Sequence, residues 1–401
     1  MAEPKRDVLI AGAGPAGCVA ALILARAGLS VTLCEAEAAA PTDLRASTFH
    51  PPTLDMLEEL GLAEGLLAQG LRAPTYQFRD RASGEAATFD IAAAADLTGF
   101  PFRLQCEQFK LTRLALAALA EAAELRFGAR LSALAQDEDG VDAVIETEDG
   151  PETLRARFVI GAEGASSVAR KAIAARFEGF TYPEQWVVAS TPEDFSARLP
   201  GLSPVSYTAD PEEWFVLLRT PGLWRVLLPF PEEAAPEEAL SDATLERRLQ
   251  GIAPIPRRYA IVHRTIYRVH QRVASTYRQG RIAIAGDAAH LNNPLGGMGM
   301  NGGVHDAVLL ARKLVRVIRD GADADAMLDH YTAQRRAIAI EHVRTHTHAN
   351  REAIGERDPE RRAEILAEMK AIAADPARLR AHVRKGAMID AVARSMAVEP
   401  P

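Results

Sequence analysis

The sequence predicts an α/β protein made of a βαβ-type lobe, an antiparallel β-sheet lobe and a set of carboxyl-terminal helices. Three observations support this prediction. Residues 8–11 form a short apolar run, typical of a strand buried on both faces, and a glycine-rich turn and an alanine- and leucine-rich stretch follow it. Residues 181–277 contain all three tryptophans and many Val/Leu runs interrupted by Pro and Gly, which is typical of antiparallel strands. From residue 303 onward the spacing of apolar residues is mostly helical.

Composition limits the function classes. The chain has 401 residues, 48% hydrophobic and 25% charged, with a net charge of −8 when His is neutral. This composition excludes a disordered or collagen-like chain, and the length predicts two or more lobes. Because no basic tract or stripe occurs, nucleic acid is not expected as the main partner. Three widely spaced cysteines, Cys18, Cys34 and Cys106, suggest neither a disulfide framework nor a thiolate metal site.

Membrane and export signals are not expected either. No run of about 18 apolar residues is present, so we expect no membrane span. The first apolar run, over 8–12, is too short for a signal-peptide core. The expected location is therefore the cytoplasm.

The first elements form a Rossmann-like βαβ unit. The turn between strand and helix reads Gly12-Ala13-Gly14-Pro15-Ala16-Gly17, and Glu35 ends the second strand 23 residues after Gly12. In such a G-x-G-x-x-G motif the first glycine permits the tight turn, the second lets the backbone approach a pyrophosphate, and the third permits close packing of helix and strand. A carboxylate at the second strand can accept hydrogen bonds from ribose hydroxyls. The unit predicts a dinucleotide site but does not distinguish FAD from NAD, and a tight packing turn without a ligand is the alternative.

The remaining elements follow in chain order. We expect helices over 53–60 and 107–123, strands over 131–135, 141–146 and 156–160, strands over 214–219 and 224–228, a strand over 281–285, and helices over 303–319 and 324–351. Asp358 and Asp375, each followed by proline, are expected to cap two further short helices. The expected domains are a discontinuous nucleotide-binding domain (1–75, 101–178 and 278–352), a β-sheet substrate domain (76–100 and 179–277) and a helical segment (353–401).

A second constellation identifies the nucleotide. Gly286-Asp287-Ala288-Ala289-His290 follows a strand, and Pro294-Leu295-Gly296-Gly297-Met298-Gly299-Met300-Asn301 opens a helix. With the glycine motif, Arg45, Gln105 and the central Gly161-Ala162-Glu163-Gly164, this order resembles the class A flavoprotein monooxygenases, the aromatic hydroxylases of the para-hydroxybenzoate hydroxylase (PHBH) type. The resemblance covers residues 7–345, and residues 286–306 are its most specific part.

The resemblance implies an FAD-binding lobe of the PHBH type and a set of cofactor contacts. Asp287 and Gln105 would contact the ribityl chain of FAD, Arg45 would lie beside the flavin, and the helix after Pro294 would point its amino terminus at the flavin pyrimidine. The full set of implied cofactor residues is Gly12, Gly14, Pro15, Ala16, Gly17, Glu35, Arg45, Gln105, Glu163, Asp287, Pro294, Gly297, Gly299, Met300 and Asn301. Two positions depart from the family pattern, which usually has aspartate at the position of Glu163 and often glutamine at that of Met298.

Candidates for substrate contact come from the middle lobe and from the segment after the second strand. We expect His50, Arg219, Tyr267 and His270 as pocket residues. Arg219 suits a carboxylate ligand, with a solvated strand arginine as the alternative, and a histidine suits removal of a phenol proton. His342 and His346 have the i,i+4 spacing of zinc ligands, but no nearby cysteine or His-Glu-x-x-His motif supports a zinc site, so a hydrated helix face is the better explanation and no metal site is expected.

By this resemblance the function is NAD(P)H- and FAD-dependent hydroxylation of a small aromatic or heteroaromatic molecule by a single-component monooxygenase, through a flavin C4a-hydroperoxide. NADH or NADPH would bind transiently, and O2 would be the co-substrate. The chain would be a monomer or a homodimer. Alternatives are an FAD-dependent reductase or halogenase of the same fold, a dehydrogenase built on the first motif alone, and a non-catalytic flavin-binding protein.

Overall fold

The computed structural model describes residues 6–42, 44, 46–341 and 347–400, without the side chains of residues 347 and 348. The strands are β1 Arg6–Ala11, β2 Val31–Cys34, β3 Thr48–Phe49, β4 Leu71–Ala73, β5 Thr75–Asp80, β6 Ala86–Asp90, β7 Arg103–Gln105, β8 Glu124–Arg126, β9 Arg130–Gln136, β10 Val141–Thr147, β11 Gly150–Gly161, β12 Phe177–Thr191, β13 Val205–Ala209, β14 Phe215–Thr220, β15 Leu223–Pro231, β16 His263–Ala274, β17 Arg278–Gln279, β18 Ile282–Ile284 and β19 His290–Leu291.

The α-helices are α1 Pro15–Arg26, α2 Pro51–Glu59, α3 Ala63–Leu67, α4 Gln108–Leu119, α5 Val168–Ala172, α6 Pro236–Ala239, α7 Asp242–Ile252, α8 Gly299–Asp320, α9 Ala324–Glu341, α10 Thr347–Ile354, α11 Pro359–Ala374, α12 Pro376–Gly386 and α13 Ile389–Ala397. Short 3₁₀ helices span Ile91–Leu97, Phe195–Ala197 and Gly286–Ala288. Within the described ranges no helix is long and apolar enough to cross a membrane.

The first sheet confirms the predicted βαβ unit. Its strand order is β17-β18-β11-β1-β2-β8, and β10 and β9 extend it from β11. β1 pairs in parallel with β2 and β11, and its residues Val8, Leu9 and Ile10 are fully buried. Helices α1, α4 and α8 pack together on this sheet. A strand covered on both faces must be apolar throughout, which is why the run over 8–11 shows no alternation.

The second sheet has the order β19-β16-β12-β15-β14-β13-β5-β6. Its pairings are antiparallel, as predicted, except that β13 pairs in parallel with β5. A parallel pairing is possible here because β5 comes from a much earlier part of the chain, so no hairpin joins the two strands. One face packs against α7 through Leu245 and Leu249, and the other packs against the carboxyl-terminal helices through Leu366 and Val383.

A third, small sheet with the order β3-β7-β4 was not expected from the sequence. In its antiparallel register Thr48 faces Gln105 and Phe49 faces Leu104 across β3 and β7. On the other side of β7, Ala73 faces Arg103. The strands of this sheet are interspersed along the chain with strands of the other two, and they supply several polar residues to the site described below.

The carboxyl-terminal helices begin where the sequence predicts. Asp358 accepts hydrogen bonds from the backbone N–H groups of Glu360 and Arg361 at the start of α11, and Asp375 caps α12 in the same way. α13 follows as an additional helix. The helix expected over 324–351 is observed as α9 and α10, between which residues 342–346 lie outside the described residues. The division of the chain into three domains stays a prediction.

Candidate active site

The glycine turn and the later Gly-Asp turn meet in space at three small residues. A Cβ atom built on Gly286 would lie 3.3 Å from Cβ of Ala16 in the first turn of α1. A Cβ atom on Gly303 of α8 would lie 3.1 Å from Cα of Gly286. These distances leave no room for larger side chains, so the turn after β18 is held against the amino-terminal end of α1 and against α8.

A buried carboxylate in α8 fixes this second turn. Asp306 accepts hydrogen bonds from the backbone N–H of Gly286 (3.0 Å), from Nε2 of His290 (2.7 Å) and from Nε of Arg335 (2.6 Å). Burial acts to raise the pKa of Asp306, but the charges and hydrogen bonds of His290 and Arg335 outweigh it and hold the pKa well below its usual range. Asp287 is consequently presented on the exposed side of a rigid turn.

The glycine motif has the geometry of a phosphate-binding turn. Gly12 has a φ of +99°, and a Cβ there would lie 2.4 Å from the carbonyl oxygen of Ala162. A Cβ on Gly17 would lie 1.9 Å from the carbonyl oxygen of Gly12, whereas a Cβ on Gly14 would meet no atom within 4 Å. Helix α1 starts at Pro15 without a side-chain cap, so its first N–H groups face the open space beside Gly14.

Glu35 is held at the end of β2 next to this turn. Its Oε2 accepts a hydrogen bond from the N–H of Ala13 (2.7 Å), and its Oε1 accepts one from the N–H of Glu37 (3.0 Å). A carboxylate has about four lone-pair positions, so the side chain keeps the capacity to accept further hydrogen bonds. The acid and the glycine turn are therefore one preorganised unit.

Glu163, in the central motif, organises its own turn. Its carboxylate accepts hydrogen bonds from Oγ of Ser167 and from the N–H of Ala169, both at 2.8 Å, and so caps the short helix α5. A Cβ on Gly161 would lie 2.8 Å from Oε2 of Glu163. A direct contact between Glu163 and a cofactor stays a prediction.

Asn301 joins the small third sheet to the loop that begins at Pro294. Its Nδ2 donates to the carbonyl oxygens of Thr48 (2.8 Å) and Gly297 (2.7 Å), and its Oδ1 accepts from the N–H of His50 (2.9 Å). Gly297 has a φ of +68°, and a Cβ there would lie 3.0 Å from Cβ of Thr48. The loop and β3 are thereby held in close contact, immediately before α8 begins at Gly299 and Met300.

Two polar side chains of this contact have atoms without a partner. His50 is fully buried, and because its Nε2 donates to the carbonyl oxygen of Gly296 (2.7 Å), Nδ1 must be a lone-pair acceptor. Gln105 is fully buried, and its Oε1 accepts from Oγ1 of Thr48 (3.1 Å). Within the described residues neither His50 Nδ1 nor Gln105 Nε2 has a hydrogen-bond partner. Buried polar atoms of this kind require an explanation, and a bound molecule is one.

Comparison with known proteins decides the family. A family model described as an FAD binding domain matches residues 5–346. The chain belongs to this family. The para-nitrophenol 4-monooxygenase of Pseudomonas sp. (strain WBC-3) is 34% identical over 389 residues, which cover 94% of each chain. The 6-hydroxy-3-succinoylpyridine 3-monooxygenase HspB of Pseudomonas putida (strain DSM 28022 / S16) is 32% identical, with 84% of this chain and 86% of the relative covered.

A solved structure extends the likeness to the whole fold. The crystal structure of p-nitrophenol 4-monooxygenase PnpA from Pseudomonas putida DLL-E4 has a TM-score of 0.90 and 32% sequence identity to this chain, covering 95% of this chain and 97% of that one. The protein is thus an FAD-dependent monooxygenase of the aromatic hydroxylase class. The predicted family, fold class and enzyme class are confirmed, and the relatives' names favour a monooxygenase over the reductase, halogenase and dehydrogenase alternatives.

The residues of the monooxygenase fit an FAD molecule. The open space beside Gly14, at an uncapped helix start, fits the pyrophosphate, and Glu35 fits the adenosine ribose. The buried Nε2 of Gln105 is a donor without an acceptor among the described residues, and a ribityl hydroxyl or a flavin oxygen would be a suitable one. Arg45 lies outside the described residues, as do His342 and His346. Among the described residues no cluster of His, Cys, Asp and Glu is placed to hold a metal ion.

The structure separates the four predicted substrate residues. His50 lies at the site. Tyr267 pairs with Trp186 across β16 and β12 and lies on the sheet face opposite α7, where burial raises its pKa to about 12 against a lowering effect of Arg225. Arg225 in turn donates to Oγ of Ser47 (2.9 Å) in the segment that leads into β3. Tyr267 and Arg225 therefore lie on the sheet face that is turned towards β3 and the third sheet.

Arg219 and His270 lie on the other face of the second sheet, away from His50, and a contact of either with substrate stays a prediction. Arg219 pairs with Asp194 (3.4 Å) and lies over the ring of Trp224, in the layer that packs against α7. His270 follows Val269 on β16, and Val269 shares a sheet face with Tyr267, so the side chain of His270 projects from the opposite face. Its Nδ1 hydrogen-bonds to Oγ1 of Thr181 (2.8 Å). Both side chains face away from the site because consecutive residues of a strand alternate between faces, and both faces of this sheet are covered.

Sequence reasoning missed Arg103 and Arg225, two buried arginines near the site. A signal for Arg103 was present: in the short run Phe102-Arg103-Leu104-Gln105 it alternates with apolar residues and shares a strand face with Gln105. No motif marks Arg225, which differs from Arg219 only in the strand and face that it occupies.

Proposed function

We propose that this monooxygenase takes electrons from NADH or NADPH and hydroxylates a small aromatic or heteroaromatic ring that bears a hydroxyl group. The observation that carries the proposal is the buried imidazole of His50 with an acceptor atom, Nδ1, that has no partner among the described residues. FAD, when bound, would accept electrons from the nicotinamide and activate O2. One oxygen atom enters the ring and the other leaves as water. The names of two relatives support the substrate class, since one acts on para-nitrophenol and the other on a 6-hydroxypyridine.

His50 accepts the proton of the ring hydroxyl in this proposal. Burial, and after it the positive charge of Arg103, hold the pKa of His50 well below its ordinary value, so the side chain is neutral in the free enzyme. A hydroxyl group can donate to Nδ1, while the N–H at Nε2 stays bonded to the carbonyl oxygen of Gly296. Loss of the hydroxyl proton makes the ring more electron-rich and therefore a better nucleophile towards the oxygen that it receives.

The remaining residues position the cofactor. We propose that Asp287 and Gln105 hydrogen-bond to the ribityl chain, that Glu35 holds the ribose, and that the N–H groups at the start of α1 bind the pyrophosphate. The start of α8 at Gly299, Met300 and Asn301 would direct N–H groups and the positive end of the helix dipole at the flavin pyrimidine. Pro294 and Gly297 shape the loop that leads into this helix.

The test is to load the protein with FAD and to measure NADH or NADPH oxidation with a panel of phenols and hydroxypyridines. We expect at least one ring to accelerate oxidation and to yield hydroxylated product in a fixed ratio to the nicotinamide consumed. Asp287→Ala should reduce FAD retention on gel filtration, whereas Asp139→Ala, in the exposed β9–β10 turn, should not. FAD binding without substrate-dependent oxidation would favour the non-catalytic alternative, and reduction of an alkene in place of hydroxylation would favour the reductase.

A further inference from the structure

Arg103 shares one face of the small third sheet with His50 and Gln105. It lies two residues before Gln105 on β7, so the two side chains project to the same side. The pairing of Thr48 with Gln105 and of Phe49 with Leu104 brings the next position, His50, opposite Arg103. His50 contacts Gly296 on this side. Arg103 therefore faces the same region as the partnerless Nδ1 of His50.

The charge of Arg103 is buried among neutral groups. The side chain is only 2% exposed. Its Nη1 donates to Oη of Tyr207 (3.4 Å), its Nη2 donates to the carbonyl oxygen of Gly386 (3.2 Å), and its guanidinium carbon lies 4.2 Å from the ring centre of Tyr76. Among the described residues no carboxylate pairs with it, and its Nε has no hydrogen-bond partner.

Such an arrangement is unfavourable in the absence of an anion. A buried charge is normally compensated by an opposite charge, and guanidinium groups are well suited to oxyanions because their planar donors can form two parallel hydrogen bonds. Arginine carries five N–H donors, and the contacts with Tyr207 and Gly386 use only part of them. The Nε donor and the acceptor of His50 together form a polar patch on an otherwise apolar wall.

We propose that Arg103 binds an anionic oxygen of the aromatic substrate, either the ionised ring hydroxyl or a carboxylate substituent. This inference rests on the proposed function and deepens it. In the first case the hydroxyl proton passes to Nδ1 of His50 and the oxygen, now negative, is stabilised by the guanidinium. In the second case the substituent is bound directly and fixes the orientation of the ring.

A purely structural role for Arg103 makes a different prediction. Through the carbonyl oxygen of Gly386 it ties the end of α12 to the third sheet. If that were its whole role, its replacement would lower the affinity for charged and neutral rings equally. Charge discrimination between ligands is therefore the readout that separates the two roles.

The experiment uses FAD-loaded protein and equilibrium binding, which requires no turnover. Three probes are compared: para-nitrophenol, whose colour reports ionisation of its hydroxyl; benzoate, which has a carboxylate but no hydroxyl; and benzyl alcohol, which is neutral. We expect Arg103→Met to weaken the binding of para-nitrophenol or of benzoate by about 10- to 100-fold, which is the range for loss of a hydrogen bond to a charged group. Binding of benzyl alcohol should stay unchanged, and Arg103→Lys should retain part of the affinity. A loss confined to para-nitrophenol identifies the ring oxygen as the ligand, and a loss confined to benzoate identifies the carboxylate.

Arg72→Met is the matched control. Arg72 lies on the neighbouring strand β4, is exposed and also stacks on an aromatic ring, that of Phe102 (5.0 Å), so its loss should leave all three affinities unchanged. Equal weakening of all probes by Arg103→Met, no change in any of them, or a wild type that binds no anionic probe more tightly than the neutral one would overturn the inference. If charge-dependent binding is found and no ring is hydroxylated, only the proposed function fails.

Discussion

Two buried histidines between β3 and α8 have strongly lowered pKa values. Burial holds the pKa of His50 well below its ordinary value and lowers that of His305 to about 3. His305 contributes from α8, where its Nε2 hydrogen-bonds to Oγ1 of Thr53 (2.8 Å). Both imidazoles are therefore neutral in the folded protein at pH values where the unfolded chain is already protonated, and this difference links stability to pH.

For His305 the direction of this linkage can be stated. Its folded pKa of about 3 lies below the unfolded value of about 6.5, so its stability contribution is complete above pH 6.5 and decreases as the pH falls towards 3. One proton difference corresponds to a slope of about 1.4 kcal/mol per pH unit. We expect His305→Gln to reduce the slope of unfolding free energy against pH in urea titrations between pH 4 and 6.5. His270→Gln, at a partly exposed position, is the comparison, and an equal slope in wild type and His305→Gln would contradict the assignment.

Candidate site residues could be chosen from the sequence where a motif marks them, but not where only the face of a strand decides whether a side chain reaches the site. Gly12, Gly14, Gly17 and Gln105 were proposed from motif spacing and resemblance, and their contacts with the cofactor stay predictions. Arg219 lies on the strand face opposite Val216, and sequence alternation does not tell which face is turned to the site when helices cover both. The alternation around Arg103 is present in the sequence, but it was overlooked because β7 has only three residues and so short a pattern does not stand out.

Among the elements, the glycine turn after β1 allows the most direct test. The three positions require glycine for different reasons. At Gly12 and Gly17 a Cβ would collide with backbone, at 2.4 Å and 1.9 Å, whereas at Gly14, with a φ of −72°, it would meet nothing within 4 Å. Only the environment of Gly14 leaves space for a ligand, which matches the roles deduced from the motif.

We therefore predict a split between stability and cofactor affinity. Gly12→Ala and Gly17→Ala should lower the melting temperature of the apoprotein, because backbone must move. Gly14→Ala should leave that temperature within about a degree or two of wild type, since a change that creates no steric clash costs under about 0.5 kcal/mol. The same variant should bind FAD much more weakly, because its methyl group occupies the space assigned to the pyrophosphate. Thermal melts of apoprotein and fluorescence titration with FAD measure the two effects, and normal FAD affinity in Gly14→Ala would refute the assignment.

Elements with strong periodicity were predicted to within a few residues, and the very short strands of the third sheet were not. The helix expected over 303–319 is observed as α8 Gly299–Asp320, and the strand expected over 141–146 is β10 Val141–Thr147. The third sheet consists of strands of two or three residues, whose pairing depends on contacts between distant segments. Local sequence contains no information about such contacts.

For the molecule as a whole, the carboxyl-terminal helices share a hydrophobic core with the second sheet. Leu366, Val383 and Ala387 belong to the same buried cluster as Trp186 and Trp214 of the sheet. Ion pairs such as Arg380 with Asp96 (2.6 Å) lie at the rim and are largely exposed. Exposed pairs contribute little, so the segment is attached mainly by the apolar contact together with the more buried pair of Arg362 and Asp80.

Val383→Ala tests whether the segment and the sheet unfold together. Val383 is fully buried, and loss of two methyl groups together with the resulting cavity should cost about 2 kcal/mol. Because the cluster is shared, we expect one cooperative calorimetric transition shifted to lower temperature, and not an early transition of the helices alone. Met396→Ala, at a side chain that is 57% exposed, is the control and should change stability by less than about 0.5 kcal/mol. An early, separate transition in Val383→Ala with the main one unmoved would show that the carboxyl-terminal helices form a unit of their own.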